Sequence, residues 1–373
     1  MEKEWAQGIF EKLKTKLAAE CERNENSMPY VPVNGRYHDL EKPGDIFGWT
    51  HGFWPGMLWQ MYNATNNELF RKTAERVEVR FDAALEGFGG LNHDIGFMWL
   101  HTAVANYRLT GNKDSLRRGF HAANLMAGRY NPAGKFIRAW NGNERAGWII
   151  IDCMMNLPIL YWASEESKDP RFKIIGMEHA YTSIDNLQRP DGSCHHIAAF
   201  SPHTGDCLEF PVGQGYASGS SWSRGQSWGL YGFALSYRHT GERKFLEAAK
   251  RIAHYLISNF ALNDWLPLVD FRAPLEGNKY DSTSAMIGAC GLLEIAHHVD
   301  EYEKKMYRDS AFKLLTTVEK NWADWNMETD GIIGKGTAAW EDRHNQNEVP
   351  IIYGDYFFTE AVLRLLKKDF LIW

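Results

Sequence analysis

Along the chain, stretches that are apolar nearly all round alternate with stretches that are apolar on one face only. The segment Trp228-Gly229-Leu230-Tyr231-Gly232-Phe233-Ala234-Leu235 is of the first kind, and a helix built from it is buried on several sides. After Gly241, Phe245, Ala249, Ile252 and Leu256 fall at helical spacing while Lys244, Lys250 and Arg251 take other positions, which gives one buried and one wet face. The junction between the two kinds recurs at Tyr62–Asn67, Tyr107–Asn112, Tyr161–Pro170 and Tyr237–Glu242, with a weaker copy from Ile295 to Glu303. Gly111 and Gly241 suit the left-handed position after a helix, and Pro170 suits a first helical turn.

Counting copies predicts helices of the buried type starting near Gly52, His93, Trp148, Ser223, Asp281 and Gly354. An amphipathic stretch precedes each, the first spanning Glu2 to Glu22. Short strands are expected only near Cys194–Phe200 and Trp265–Phe271. Six hairpins of this kind either stack as an open solenoid or close into a ring, and the predicted architecture is all-α: one (α/α)6 barrel over residues 1–373. With the buried helices parallel in the ring, their starts converge on one rim. That rim would gather Trp49, His93, Asp94, Asp152, Arg224, Trp228, Asp281 and Asp355 around a pocket.

Composition narrows the function. The 20 Phe, 16 Tyr and 15 Trp are far more than a disordered chain carries. A formal net charge of −6 leaves no basic excess to neutralise a phosphate backbone, so no nucleic acid partner is expected. No run of 18 apolar residues occurs, so no membrane span is expected. Five irregularly spaced cysteines and a charged N-terminus point to a reducing, cytoplasmic setting.

Asp94 and Asp152 are the acids of greatest interest. Asp152 follows Trp148-Ile149-Ile150-Ile151 and precedes Cys153-Met154-Met155, and desolvation by such neighbours favours the neutral form that a general acid needs. Asp94 opens the preceding buried helix. Each could instead cap its helix, as Asp281 and Asp355 are expected to do. Trp49, Trp54, Trp140, Trp222 and Trp228 lie in or beside glycine-rich segments, where indole faces stack on sugar rings. Arg224 could take a carboxylate bidentately or form a structural ion pair. Cys194, His195, His196, His203 and Cys207 supply ligand types, but their spacing fits no zinc pattern, so neither metal nor cofactor is expected. No phosphate-binding loop, dinucleotide fingerprint or nucleophile elbow occurs.

Five stretches, in order, resemble a known family: Gly48-Trp49-Thr50-His51-Gly52-Phe53-Trp54-Pro55-Gly56, Asn92-His93-Asp94-Ile95-Gly96-Phe97, Ile149–Pro158, Gly219–Gly229 and Asp281–Ala285, with Tyr353-Gly354-Asp355-Tyr356 near the end. The family is that of the unsaturated glucuronyl hydrolases, glycoside hydrolase family 88. The resemblance implies a cytosolic (α/α)6 barrel acting on oligosaccharides made by polysaccharide lyases, which carry a C4=C5 double bond in a terminal uronic acid. It implies hydration of that enol ether, with Asp152 protonating C4 and then activating the water that adds at C5. The hemiketal so formed opens and releases the rest of the chain. Asp94 would hold the substrate or stabilise developing positive charge. Trp49, Trp140 and Trp228 match positions of the pocket wall, and His93, His196, Gln214 and Arg224 match polar contacts to the uronate. Residues 326–350 match no pattern of the family and are assigned to the site of the next sugar.

Three rivals remain. A related unsaturated rhamnogalacturonyl hydrolase would act on pectin fragments from the same barrel. An inverting glycosidase would use two carboxyls about 6.5–9.5 Å apart on saturated glycans. A binding protein would use the aromatic cleft without turnover.

Overall fold

A computed structural model describes residues 2–40, 45–342 and 345–373. Among them the inner helices are Phe53–Thr65, a helix running through Ile95–Trp99, Leu100–Val104 and Ala105–Thr110, then Pro158–Ser167, Ser223–Thr240, Ser282–His298 and Ile352–Leu366. The outer helices are Glu2–Arg23, Glu68–Arg80, Lys113–Ala127, Pro170–Asn186, Arg243–Leu262 and Glu301–Trp322. The burial pattern follows the two kinds of stretch. All residues from Ser282 to Ala296 are buried, whereas Arg243–Leu262 buries one face through Phe245, Ala249, Ile252 and Leu256.

Each inner helix packs against the next, and Ile352–Leu366 packs against Phe53–Thr65, so the ring closes. Closure is a matter of contacts distant in sequence, which periodicity does not encode. The hairpin junctions form as the turn chemistry requires: Gly111 and Gly241 take positive φ of 75° and 71°. Pro170 opens its helix behind the Asp169 cap, and Asn67, Asn112, Glu242 and Asp300 cap four of the other outer helices.

Three expectations need correction. Strands are not confined to the two expected segments: Tyr130–Asn131 pairs with Phe136–Ile137, Gly336–Thr337 pairs with Asn347–Val349, and Cys207–Glu209 joins Ile197–Phe200. The residues at Trp148 begin no helix: Trp148–Ile150 is a strand, paired antiparallel with Ile197–Phe200, Ile150 opposite Ile197. Consecutive β-branched side chains lose rotamer freedom in a helix and pack well on a pleated surface. The helical turn therefore starts only at Ile151–Met155, and the helix proper at Pro158. The segment Trp265–Phe271 forms only single bridges, Trp222 to Asp270 and Leu268 to Tyr280. Pro267 within it has no N–H for a ladder.

The end of the barrel opposite the helix starts is packed shut. Trp373 is buried with its ring parallel to Phe357 at 5.8 Å, and its indole N–H donates to Glu360 Oε2 at 2.9 Å. Around it, Arg364 and Arg238 both pair with the buried Glu294. Burial opposes the charge of Glu294, yet the Arg364, His298 and Arg238 partners hold its carboxyl well below the usual range.

Candidate active site

The inner-helix starts meet at one mouth. Trp49 stacks on Tyr353 at 5.0 Å, Arg224 lies 5.3 Å from the Tyr353 ring, and Arg224 pairs with Asp281 at 2.7 Å. These contacts join the first, fourth, fifth and sixth inner starts. The second and third are joined through Asn156, whose Oδ1 accepts from the Phe97 N–H at 2.7 Å.

Asp152 sits two residues beyond the Trp148–Ile150 strand because that strand ends in a helical turn. The same sheet delivers His196: the Ile151 N–H donates to the His196 carbonyl at 3.0 Å. The Gln214 N–H donates to His196 Nδ1 at 3.0 Å, so a neutral imidazole carries its proton on Nε2. That Nε2 faces Asp152 Oδ1 at 3.5 Å. Gly213 makes the approach possible, since a Cβ there would lie 1.9 Å from His196 Nδ1. The ring packs on Trp222 at 4.3 Å, and the same indole carries the Arg224 guanidinium at 4.5 Å.

Asp94 sits at the start of the neighbouring helix. Its carboxyl makes no capping bond, and Asp152 is not at a cap position either. Both are buried, at 8% exposure each. Burial, and then the charge of Asp152, raises the Asp94 carboxyl well above the ordinary carboxylate range. His93 Nδ1 lies 3.5 Å from Asp94 Oδ1, and burial followed by the nearby Arg129 charge keeps that imidazole neutral. Trp140 meets His93 edge-on at 5.9 Å. His93 Nδ1, His196 Nε2 and Asp152 Oδ1 are buried polar atoms with no hydrogen bond inside the protein. Unpaired buried atoms also occur elsewhere in the core, but these three sit together near the two carboxyls, where a bound molecule could supply the missing partners.

A cavity of about 510 Å³ opens at the mouth, lined by Trp49, Gln214, Arg224, Tyr30 and Tyr353 among others; Asp94, Asp152, His93, His196 and Trp140 are not among its lining residues. Trp49, Gln214 and Arg224 thus reach the cavity directly, and His196 and Asp152 follow behind Gln214. Trp228 lies deeper: it is fully buried against Trp49 and Phe97, so it supports the wall. Arg224 is 1% exposed, and besides Asp281 its Nη atoms donate to the Thr337 and Ala338 carbonyls. Arg224 thus forms the ion pair with Asp281 and also lines the cavity.

The 326–350 segment contributes to the wall. The Trp340 N–H donates to the Gln214 carbonyl at 2.8 Å, and Trp340 meets Tyr216 edge-on at 4.9 Å. Tyr30 was not singled out by sequence, and Tyr353 and Asn156 stood only within family-like stretches, with no role of their own. Tyr353 could have been found from its place at the sixth helix start. Tyr30 lies in an aperiodic linker and reaches the mouth because its carbonyl accepts from the Ile352 N–H. Among the described residues no three His, Cys, Asp or Glu side chains converge as metal ligands. The five cysteines are all free thiols, and none of the described helices is long and apolar enough to cross a membrane.

A closed helical barrel with two uncapped, buried carboxyls near an aromatic-walled cavity has the architecture of a carbohydrate-active enzyme. The sequence model of Glycosyl Hydrolase Family 88 matches residues 22–262, and the chain belongs to that family. It is 34% identical, over 97% of its length and 96% of the relative's, to the unsaturated glucuronyl hydrolase of Bacillus sp. (strain GL1). It is 30% identical, over 86% of its length and 81% of the relative's, to the unsaturated chondroitin disaccharide hydrolase of Streptococcus pyogenes. The crystal structure of the Bacillus sp. GL1 unsaturated glucuronyl hydrolase, described as responsible for the degradation of glycosaminoglycan, superposes with a TM-score of 0.89 at 32% identity. It covers 95% of this chain and 96% of that one.

Proposed function

We propose that residues 1–373 form one catalytic barrel. It removes the terminal 4,5-unsaturated uronic acid from lyase-generated, glycosaminoglycan-type disaccharides in the cytoplasm, with Asp152 as general acid and base. The observation that carries this reading is the pairing of Asp152 Oδ1 and His196 Nε2, both buried and without hydrogen bonds, near a sugar-sized cavity.

The chemistry follows from atoms and charges. The Asp152 carboxyl gives its proton to C4, and the C4=C5 electron pair forms the new C–H bond. Positive charge is left at C5, shared with the ring oxygen. The Asp152 carboxylate then takes a proton from water as the water oxygen bonds to C5. The acid is regenerated and a hemiketal is left, which opens and expels the remaining sugar. His196 Nε2, 3.5 Å from Asp152 Oδ1, faces the same space as that carboxyl oxygen and is open to the substrate. Asp94, whose carboxyl is raised above the ordinary carboxylate range by burial and then by the Asp152 charge, holds the substrate or stabilises the positive charge developing toward C5. Trp49 and Trp140 face the sugar, Trp228 backs Trp49, and His93 and Gln214 supply polar contacts. Arg224, tied to Asp281, presents a fixed positive charge toward the uronate carboxylate.

The test is the ultraviolet absorbance of the conjugated C4=C5 uronate, followed with unsaturated chondroitin and hyaluronan disaccharides. Enzyme-dependent loss of absorbance that disappears in Asp152→Asn supports the assignment. No loss on any of these disaccharides overturns it and directs attention to pectin fragments.

A further inference from the structure

An Asp at the first position of a helix ordinarily turns its carboxylate onto the N–H two or three residues on. Asp281 does this to Thr283, and Asp169 and Asp300 do it in outer helices. Asp94 occupies the same position before Ile95–Trp99 and does not. The N–H it would have taken, that of Phe97, donates instead to Asn156 Oδ1 at 2.7 Å, from the next inner segment.

We propose that Asn156 is a positioning residue: it caps the Asp94 helix from outside, so that the Asp94 carboxyl is not drawn onto the Phe97 N–H and stays oriented for the sugar. The proposal rests on the reading of Asp94 given above. Three further observations support it. Asn156 is completely buried, so its amide is held in one place. Its Nδ2 donates to the Asp152 carbonyl at 3.4 Å, so a single side chain ties together the turns that carry both carboxyls. The amide also hydrogen-bonds the Asp94 carboxyl itself, opposing the effect of burial. Gly96 explains how the amide gets in: a Cβ at that position would lie 2.6 Å from Asn156 Cα and 2.7 Å from Oδ1. Without the Asn156 oxygen, the buried Phe97 N–H has no acceptor, and the Asp94 carboxylate is the nearby group able to supply one.

The experiment compares kcat, KM and their pH profiles for Asn156→Ala, Asp94→Asn and the double variant, with urea unfolding of each. Asn106→Ala serves as control. It removes another buried amide, bonded to Glu78 Oε2 at 2.7 Å on the same inner helix but away from the mouth. The expected result is a turnover loss of roughly 100-fold in Asn156→Ala, the scale of a 1 Å misplacement. Its division between kcat and KM should match that of Asp94→Asn, the double variant should be no slower than Asp94→Asn, and the control should lose stability alone. Unchanged kinetics in Asn156→Ala, or losses that multiply in the double variant, overturn the proposal. Normal turnover in Asp94→Asn alone would instead remove the reading of Asp94 on which it rests. If Asn156→Ala does not fold, Gly96→Ala displaces the amide without deleting it and must give the same signature.

Discussion

Asp281 and Asp355 on one side of the mouth, and Asp94 and Asp152 on the other, are all buried carboxyls near the starts of inner helices. Asp281 accepts from the Thr283 N–H and hydroxyl and the Thr337 N–H, and it pairs with Arg224. Asp355 accepts from the N–H groups of Ile332 and Ile333 and from the Tyr37 hydroxyl. Neither has an oxygen to spare. Asp152 has an oxygen with no hydrogen bond, and both Asp94 and Asp152 face a histidine nitrogen at 3.5 Å. Saturated carboxyls pin loops to helices, whereas carboxyls left short of partners store an interaction for a substrate. Asp94 and Asp281 share the cap position, yet only Asp281 caps. Asp355, expected to cap, lies inside its helix and binds the Ile332 and Ile333 N–H groups instead, so position alone does not tell scaffold from chemistry.

The largest expected effect breaks this comparison at Asp152. Replacing it with Asn should lower turnover by about 10³- to 10⁴-fold, the upper part of the range for a lost general acid and base. Unfolding in urea should move little, because the lost oxygen had no partner. A large loss of stability would class Asp152 with Asp281.

Asp281→Ala is the converse. It leaves the Arg224 guanidinium, 1% exposed, without its counter-charge. Breaking a buried pair in this way costs about 3–5 kcal/mol. The urea midpoint reads the loss, and adding Arg224→Met should recover part of it. Equal stability of Asp281→Ala and the parent protein would mean that Arg224 is held by the Thr337 and Ala338 carbonyls alone.

Asp355 gives a pH signature. Burial raises its carboxyl from 3.8 to about 6, against the bonds from Ile333 and Ile332 and the charge of Lys16. The folded state therefore holds this proton more tightly than the unfolded chain. The stabilisation is full below about pH 4 and is lost as pH rises through about 6, a change on the order of 3 kcal/mol. Glu20, also raised by burial and by the Asp355 charge, acts in the same direction. The measurement is the difference between the parent protein and Asp355→Asn in urea unfolding from pH 4 to 7, and a parallel pair of curves would refute it.

Much of the architecture was legible because a repeat states it several times over. Glycines at 111 and 241 end helices, Pro170 opens one, and two kinds of apolar pattern separate inner from outer layers. Closure was not legible, since the packing of Ile352–Leu366 on Phe53–Thr65 joins elements almost three hundred residues apart. The Trp148 strand was missed because a run of apolar residues looks the same buried in a sheet as in a helix. Within the site, Asp94, Asp152, His93 and His196 were found as residue types at helix starts and in motifs. Asn156 was passed over because its role lies in a hydrogen bond to another helix, and Trp228 was placed at the wall because sequence does not distinguish a lining indole from the one behind it.

Asp94→Asn carries a smaller expected effect on stability than Asp281→Ala or the Asp355 titration, and sharpens the comparison most finely. The carboxyl is raised by burial and by Asp152, so its negative form is a burden on the folded state. That burden is absent below the unfolded carboxylate pKa of about 3.9 and grows with pH until the folded group also ionises. Asn is neutral at every pH and keeps the shape of the side chain. The variant should therefore match the parent protein in stability near pH 4 and exceed it by about 0.5–2 kcal/mol at higher pH, the common range for a stabilising substitution. Its turnover should fall all the same. A gain in stability coupled to a loss of rate is the signature of a group held against its own preference, and it is the reverse of what Asp281→Ala should show. Loss of stability in Asp94→Asn across the whole pH range would place Asp94 with the structural acids.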